Sequence, residues 1–351
     1  MATRKASKTA SAAAGGGTKV TLDMVAAASG VSPSTVSRIL NGTAVVSAAK
    51  RAAIDRAIAE LGFVPNPMAR GLAGGRTLSI GVITQAIDSP FYGAALRAIE
   101  TELHAAGYSP LFVSGHWNPV EEKRCVDLLC ARRVDGMIVL DGALSDDQLR
   151  NLADSMPVVV TGRKLRAPRL YSLDFDHFEG ARLATQHLLA LGHRQIAFIG
   201  GDPLHADATL RLRGYRAALK EAGVRYHAAL VVAGDYRETS GQAAIEQLLA
   251  RGERFSAIFA ANDQMAFGAA LALHLRGLRV PDDVSLVGMD DLAAAAHTIP
   301  PLTTIHQGPQ ELGRLAAIAL LQLLAGGTPV ATPSTPRLMH RASTRPLAAP
   351  V

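Results

Sequence analysis

The spacing of apolar residues changes character along this chain. From Val20 to Leu61 they recur with helical period in three short segments. Leu22, Val25 and Ala26 form one stripe behind Thr21, a good N-cap, and Gly30 ends that helix. Ser32 opens a second helix with Pro33 at its first position, where a missing N–H costs nothing, and Val36, Ile39 and Leu40 form its buried side. A third begins after Ser47, carries Ile54, Ala57, Ile58 and Leu61, and stops at Gly62. Two short helices around a glycine turn, closed by a third, are the shape of a helix-turn-helix that enters the DNA major groove; an ordinary helical hairpin is the alternative. Ser34, Thr35, Ser37 and Arg38 fall on the outer side of the second helix, where hydroxyls and a guanidinium suit phosphates and base edges.

Beyond residue 77 the pattern becomes short apolar runs alternating with amphipathic stretches. Strands are predicted at Leu78–Thr84, Leu111–Ser114, Gly136–Leu140, Val158–Val160, Ile196–Ile199, Leu230–Val232, Ala257–Ala260 and Val284–Val287, and a helix over Phe91–Ala106. Such alternation predicts α/β architecture, parallel sheets with helices on both faces. The strands are too many for one compact sheet, hence two lobes, with ligands expected in the crevice outside the strand carboxyl ends. Between the two regions, Phe63-Val64-Pro65-Asn66-Pro67 is extended by its prolines, and residues 68–76 are short, glycine-rich and basic, as in a linker.

Charge sharpens the picture. The chain has 351 residues, 48% hydrophobic and 19% charged, enough for one small and two ordinary globular units. Residues 1–76 hold ten of the 36 Lys and Arg but three of the 30 acids, so this fifth carries +7 and the rest, with 26 bases and 27 acids, carries −1. The excess positive charge therefore lies where a polyanion would be met. Residues 1–17, rich in Ala, Ser, Thr and Gly, lack periodicity and read as a disordered tail. They contain no apolar run of the kind a secretory signal needs, and no stretch reaches the ~18 uninterrupted apolar residues of a membrane span, so a cytoplasmic location is expected. Cys125 and Cys130, five apart on a predicted helix, read as reduced, partly buried thiols.

The order V-T-L-D-M-V-A-A-A-S-G-V-S-P-S-T-V-S-R-I-L-N-G, then V-S, then L-G-F-V-P-N-P-M-A-R-G-L, resembles the lactose/galactose repressor family of bacterial transcription regulators. The resemblance runs from residue 18 to about 345, through L-G-H-R-Q-I-A-F-I-G, R-L-R-G-Y, A-N-D-Q-M-A-F-G, V-P-D-D-V-S-L-V-G-M-D-D and P-P-L-T-T-I. It implies a tail at 1–17, a helix-turn-helix domain at 18–65, a hinge helix at 66–77 and a two-lobed, periplasmic-binding-protein-like core at 78–345. The N-lobe takes about 78–176 and 308–335, the C-lobe about 177–307 and 336–345. By position the resemblance also implies that Leu72 is the leucine expected to wedge into the minor groove. Gly71 departs from a good hinge helix, costing about 0.5–1 kcal/mol against alanine, so the hinge is expected to order only on DNA.

The candidate DNA contacts are Thr21, Leu22, Ser32, Pro33, Ser34, Thr35, Ser37, Arg38, Asn41, Arg70 and Leu72. The candidate effector contacts follow strand ends: Phe91 and Tyr92 as aromatic faces, Arg211 as the family's ligand-contacting arginine, Tyr236 as its aromatic platform, Asn262, and Asp290 as acceptor from vicinal hydroxyls. The family often has Asp-Asn after the hinge strand; here the pair is Asp176-His177, a departure at a family ligand contact that offers a titrating group near the cleft. Arg163-Lys164 reads as an aid to an acidic sugar or as a solvated pair. Adjacent polar residues such as Asp290-Asp291 and Asn262-Asp263 should diverge, and no phosphate-cradling loop, metal-ligand spacing or nucleophile motif accompanies them. The expectation is a non-enzymatic regulator, a repressor without cofactor, binding a palindromic operator as a homodimer with affinity set by a sugar-like effector. The alternative is a free sugar-binding protein without DNA function. The C-terminal stretch from Thr328 lacks leucine heptads, so a tetramerising coiled coil is not expected.

Overall fold

The computed structural model describes residues 20–40, 44, 46–63 and 76–347. Contacts divide the chain into two units, Met1–Thr77 and Leu78–Val351. In the first, α1 (Leu22–Ser29), α2 (Pro33–Leu40) and α3 (Ala48–Leu61) close on Val25, Ala26, Val36, Ile39, Ile54 and Ala57. Thr21 caps α1 by accepting the Met24 N–H at 3.4 Å, and Gly30 ends it in the left-handed region at φ 67°. Ser32 accepts the Thr35 N–H at 3.3 Å at the head of α2. Leu22 and Leu40 are only half-buried, at the margin of this small core. The expected tail at 1–17, and the hinge apart from residues 76 and 77, lie outside the described residues.

The second unit contains two lobes. The first lobe is a parallel sheet in the order β2-β1-β3-β4-β5, from β1 (Ser79–Thr84), β2 (Ser109–Ser114), β3 (Gly136–Val139), β4 (Val158–Thr161) and β5 (Leu170–Leu173). Successive residues of β1 face opposite ways, as a strand requires. Ile80 and Val82 pack with α4 (Pro90–Ala105) and the late α11 (Pro309–Leu324), whereas Ile83 packs with α5 (Pro119–Ala131) and α6 (Asp146–Ser155).

The second lobe is a parallel sheet in the order β7-β6-β8-β9, from β6 (Ile196–Gly200), β7 (Val231–Ala233), β8 (Ala257–Ala260) and β9 (Ser285–Val287). Four helices cover it: α7 (His177–Ala190), α8 (Ala206–Glu221), α9 (Glu238–Ala250) and α10 (Asp263–Leu275). The chain passes between lobes three times, after β5, after β10 (Thr304–His306), and before β11 (Arg337–Met339).

Three strands escaped the apolar pattern. β5 reads Leu-Tyr-Ser-Leu, with a half-buried polar centre, because it is an edge strand. β10 and β11 form an antiparallel pair, so the strands are not all parallel; each is three residues long, too short for a periodic signal. Cys130 is exposed rather than partly buried, since it lies one residue beyond the buried Leu129 on α5, while Cys125 is half-buried.

Candidate functional site

A cleft of about 900 Å³ opens between the lobes, and the segments that follow strand carboxyl ends build both its walls. One wall takes Gln85 after β1, Trp117 after β2, Asp141 after β3 and Arg163 after β4, with Phe91 and Tyr92 in the first turn of α4. The other takes His205, Asp207 and Arg211 from the β6–α8 connection and α8, Tyr236 after β7, Asn262 after β8, Asp290 after β9 and Gln307 after β10. Of the nine non-glycine residues with positive φ among those described, five line this cleft: His116, Trp117, Asp141, Tyr236 and Asp290. Strained backbone is thus concentrated where side chains must be aimed.

Arg211 organises the C-lobe wall. It is buried, pairs with Asp207 at 3.2 Å, donates to the Ala261 carbonyl, and lies 5.2 Å from the centroid of the Tyr236 ring. Burial works against its charge, but Tyr236 and Asp207 outweigh that and raise its pKa. Burial also acts upward on Asp207, and Arg211 overrides it, holding that carboxyl below its ordinary range. Arg211 Nε and Nη2 approach His177 Nδ1 at 3.4 and 3.3 Å, which makes Nδ1 an acceptor; burial first and Arg211 second push the imidazole down to about 3. His177 is therefore neutral at ordinary pH and does not serve as a titrating group there. Its neighbour Asp176 is exposed and caps α7 by accepting the Glu179 N–H at 2.9 Å.

All six predicted effector residues line this cleft, in different states of engagement. Tyr236 donates its hydroxyl to Asp207 at 2.7 Å, and the hydroxyl end of its ring packs so closely on Gly201 that a Cβ there would overlap it. Asn262 accepts the Met265 N–H as the N-cap of α10 and donates to the Tyr236 carbonyl, both at 2.9 Å, so it also fixes the platform. Tyr92 donates to Asp141 at 2.8 Å while its ring packs against the core, and it meets Phe91 edge-on at 5.4 Å. Burial raises the pKa of Asp290, opposed by Arg211 and reinforced by Asp263. The adjacent polar residues diverge. Asp291 turns to Arg341 (2.6 Å) and His306 (2.8 Å), and Asp263 turns inward to the Leu292 N–H and Thr304 hydroxyl. Arg163 lines the cleft but spends its guanidinium on the carbonyls of Gly142 and Leu144 and on Asp146, whereas Lys164 is exposed beside Asp174.

Sequence reasoning missed Trp117, Asp141, His205, Asp207 and Gln307. Asp207 carried a signal, four residues before Arg211 on a helix, and Asp141 followed an apolar run. The Trp117 and His205 rings stack across the lobes with centroids 3.8 Å apart, a pairing no local pattern encodes. His205 Nδ1 and Gln307 Oε1 are buried without a hydrogen-bond partner among the described residues, which leaves polar capacity for a ligand.

In the first unit, Thr21, Ser32, Pro33, Ser34 and Arg38 are exposed, Leu22, Thr35 and Ser37 half-buried. The Ser32 hydroxyl meets those of Ser34 (3.0 Å) and Thr35 (2.8 Å), forming a small hydroxyl cluster at the N-terminus of α2. Asn41, Arg70 and Leu72 lie outside the described residues.

Comparison with known proteins agrees with this geometry. Residues 21–66 match the family described as bacterial regulatory proteins, lacI family, and residues 185–344 match a periplasmic binding protein-like domain. The transcriptional regulator CelR of Thermobifida fusca is 38% identical over 317 residues, covering 88% of this chain and 93% of its own. The ribose operon repressor of Escherichia coli K12 is 37% identical over 330 residues, covering 92% and 99%. Among solved structures, the lac repressor dimer bound to operator and the anti-inducer ONPF superposes with a TM-score of 0.81 at 35% identity, covering 93% of this chain and all (100%) of that one. The CelR–cellobiose complex gives 0.68 at 37%, covering 92% and 99%. With a helix-turn-helix unit, a two-lobed cleft and relatives matched over nearly their whole length, this chain belongs to the LacI family of bacterial DNA-binding transcription regulators.

Proposed function

We propose that this protein is a repressor that binds a palindromic operator as a homodimer, its grip set by a sugar-like effector held between the lobes. The observation that carries the reading is the joining, in one chain, of an exposed Ser/Arg helix with a cleft whose walls present carboxylates, an arginine and aromatic rings. Two identical reading heads call for a two-fold site. Ser32, Pro33, Ser34, Thr35, Ser37 and Arg38 meet the major groove, Thr21, Leu22, Asn41 and Arg70 help seat the unit, and Leu72 enters the minor groove. In the core, Phe91, Tyr92, Arg211, Tyr236, Asn262 and Asp290 hold the effector. Binding without turnover, and action in the cytoplasm, complete the proposal; among the described residues no helix is long and apolar enough to cross a membrane.

Relatives of this chain include a regulator solved with cellobiose and a lac repressor dimer solved on its operator, which supports both halves of the reading. The test is Arg38→Ala. Operator affinity should fall by about 1–3 kcal/mol, measured by anisotropy on a labelled duplex, with ligand binding unchanged. Unchanged DNA affinity would remove α2 from its role.

A further inference from the structure

Seven carboxylates and three arginines line the cleft. What decides its selectivity is how those arginines are already occupied. Arg163 is tied to two carbonyls and Asp146. Arg211 is held by Asp207, the Ala261 carbonyl and His177 Nδ1. Arg237 is exposed to water at the rim. None of the three presents an unspent, desolvated guanidinium to the interior. The carboxylates differ. Asp141 accepts one hydroxyl at each oxygen, from Tyr92 and Thr161, and an ionised carboxylate has about four acceptor sites. Asp290 is buried at the other wall, and its charge interaction with Arg211 is weaker than that of Asp207. Gln307 Oε1 adds a buried acceptor, and His205 Nδ1 a buried nitrogen that accepts or donates with its tautomer, both with no hydrogen-bond partner among the described residues. The interior therefore offers acceptors in excess and repels added negative charge.

We propose that the cleft selects an uncharged, hydroxyl-rich ligand and excludes phosphorylated or carboxylated sugars. The inference rests on the reading that this cleft holds the effector, and it narrows that effector to one charge class. Hydroxyl hydrogens suit Asp141 and Asp290 from opposite walls, and the Tyr236 ring gives an apolar face for sugar C–H groups. A phosphate or carboxylate would meet the same acids with Arg163 and Arg211 already engaged and Arg237 left in water at the rim. Asp207 sets this specificity. By neutralising Arg211 from four residues away on α8, it turns what would be an anion receptor into a positioned donor.

The chain's one tryptophan makes the test direct, because Trp117 lines the cleft and stacks on His205 of the other lobe. The full-length protein is titrated with ribose, glucose, cellobiose, glucose 6-phosphate, glucuronate, inorganic phosphate and hypoxanthine, following Trp117 emission with calorimetry in parallel. An uncharged sugar should bind, and its phosphorylated or carboxylated counterpart should bind about a hundredfold more weakly. Asp207→Asn, nearly isosteric and checked by thermal unfolding, should gain at least about tenfold in affinity for glucuronate and phosphate as Arg211 is released. Asp207→Ser, which also frees Arg211 of its paired charge, should move anion affinity in the same direction, as a second variant should the first fold poorly. A wild-type protein that binds the anionic sugars as tightly as neutral ones, or variants that gain no anion affinity, would overturn the charge rule. Hypoxanthine binding in place of every sugar would overturn the hydroxyl-rich class. Anion gain in the variants without any sugar bound by wild type would uphold the charge rule and count against the sugar-effector reading alone.

Discussion

Replacing His177 by Asn should remove a defined part of the core's sensitivity to acid. In the folded protein His177 is 6% exposed, and its Nδ1 accepts from Arg211, so a proton there would oppose a guanidinium in a water-poor site. The imidazole falls from its ordinary 6.5 to about 3, mainly through burial. Between those values the unfolded chain binds a proton that the folded chain does not. The contribution to stability is therefore complete above pH 6.5 and declines as pH falls toward 3. At pH 5 the loss is about 2 kcal/mol, and at pH 3 about 4–5 kcal/mol. His177→Asn has no such titration, although losing the ring that meets Phe175 at 5.2 Å should cost about 1 kcal/mol at every pH. Urea unfolding of both proteins at pH 7.5 and 5.0 separates the terms, since all other titrating groups are shared and cancel. The wild type should lose about 2 kcal/mol more than the variant between the two conditions. Equal losses, within about 0.5 kcal/mol, would refute the assignment of His177 as a buried neutral acceptor.

Other changes should separate the two units and the two walls. Ile39→Ala opens a cavity in a core of six buried residues and should cost about 2–5 kcal/mol, enough to abolish operator binding while the Trp117 response to ligand persists; circular dichroism and titration check this. Glu122 is wholly buried and accepts the Ala143 and Leu144 N–H groups at 2.8 and 2.9 Å, beneath the loop that carries Asp141. Glu122→Ala leaves those donors unsatisfied, so the core should lose about 2–5 kcal/mol and the ligand should bind more weakly, read by thermal unfolding and calorimetry.

The sequence showed most plainly what is local. N-caps Thr21, Ser32 and Ser47, and the left-handed glycines at 30 and 62, mark helix ends because each satisfies or relieves its own backbone. Buried central strands such as Ala257–Ala260 announce themselves as apolar runs. The edge strand Leu170–Leu173 and the pair Thr304–His306 with Arg337–Met339 did not, since half-exposed or three-residue strands lack a period. In the cleft, strand-end logic reached Asn262 and Asp290 because both close apolar runs. It did not reach Gln307 or the stacking of Trp117 on His205, which depend on segments far apart in the chain. Nor did it anticipate that Arg163 and Arg211 would be consumed internally, a matter of partners rather than of residue type.

On this reading one chain couples DNA recognition to a ligand in the cleft. This coupling is tested most directly by selecting duplexes from random-sequence DNA with the full-length protein, then measuring affinity for the recovered site with and without a saturating ligand that alters Trp117 emission. Two-fold symmetric sites should emerge, with a ligand-dependent change in affinity of about 5- to 150-fold. Ligand binding registered at Trp117, with DNA affinity the same in its presence and absence, would contradict it.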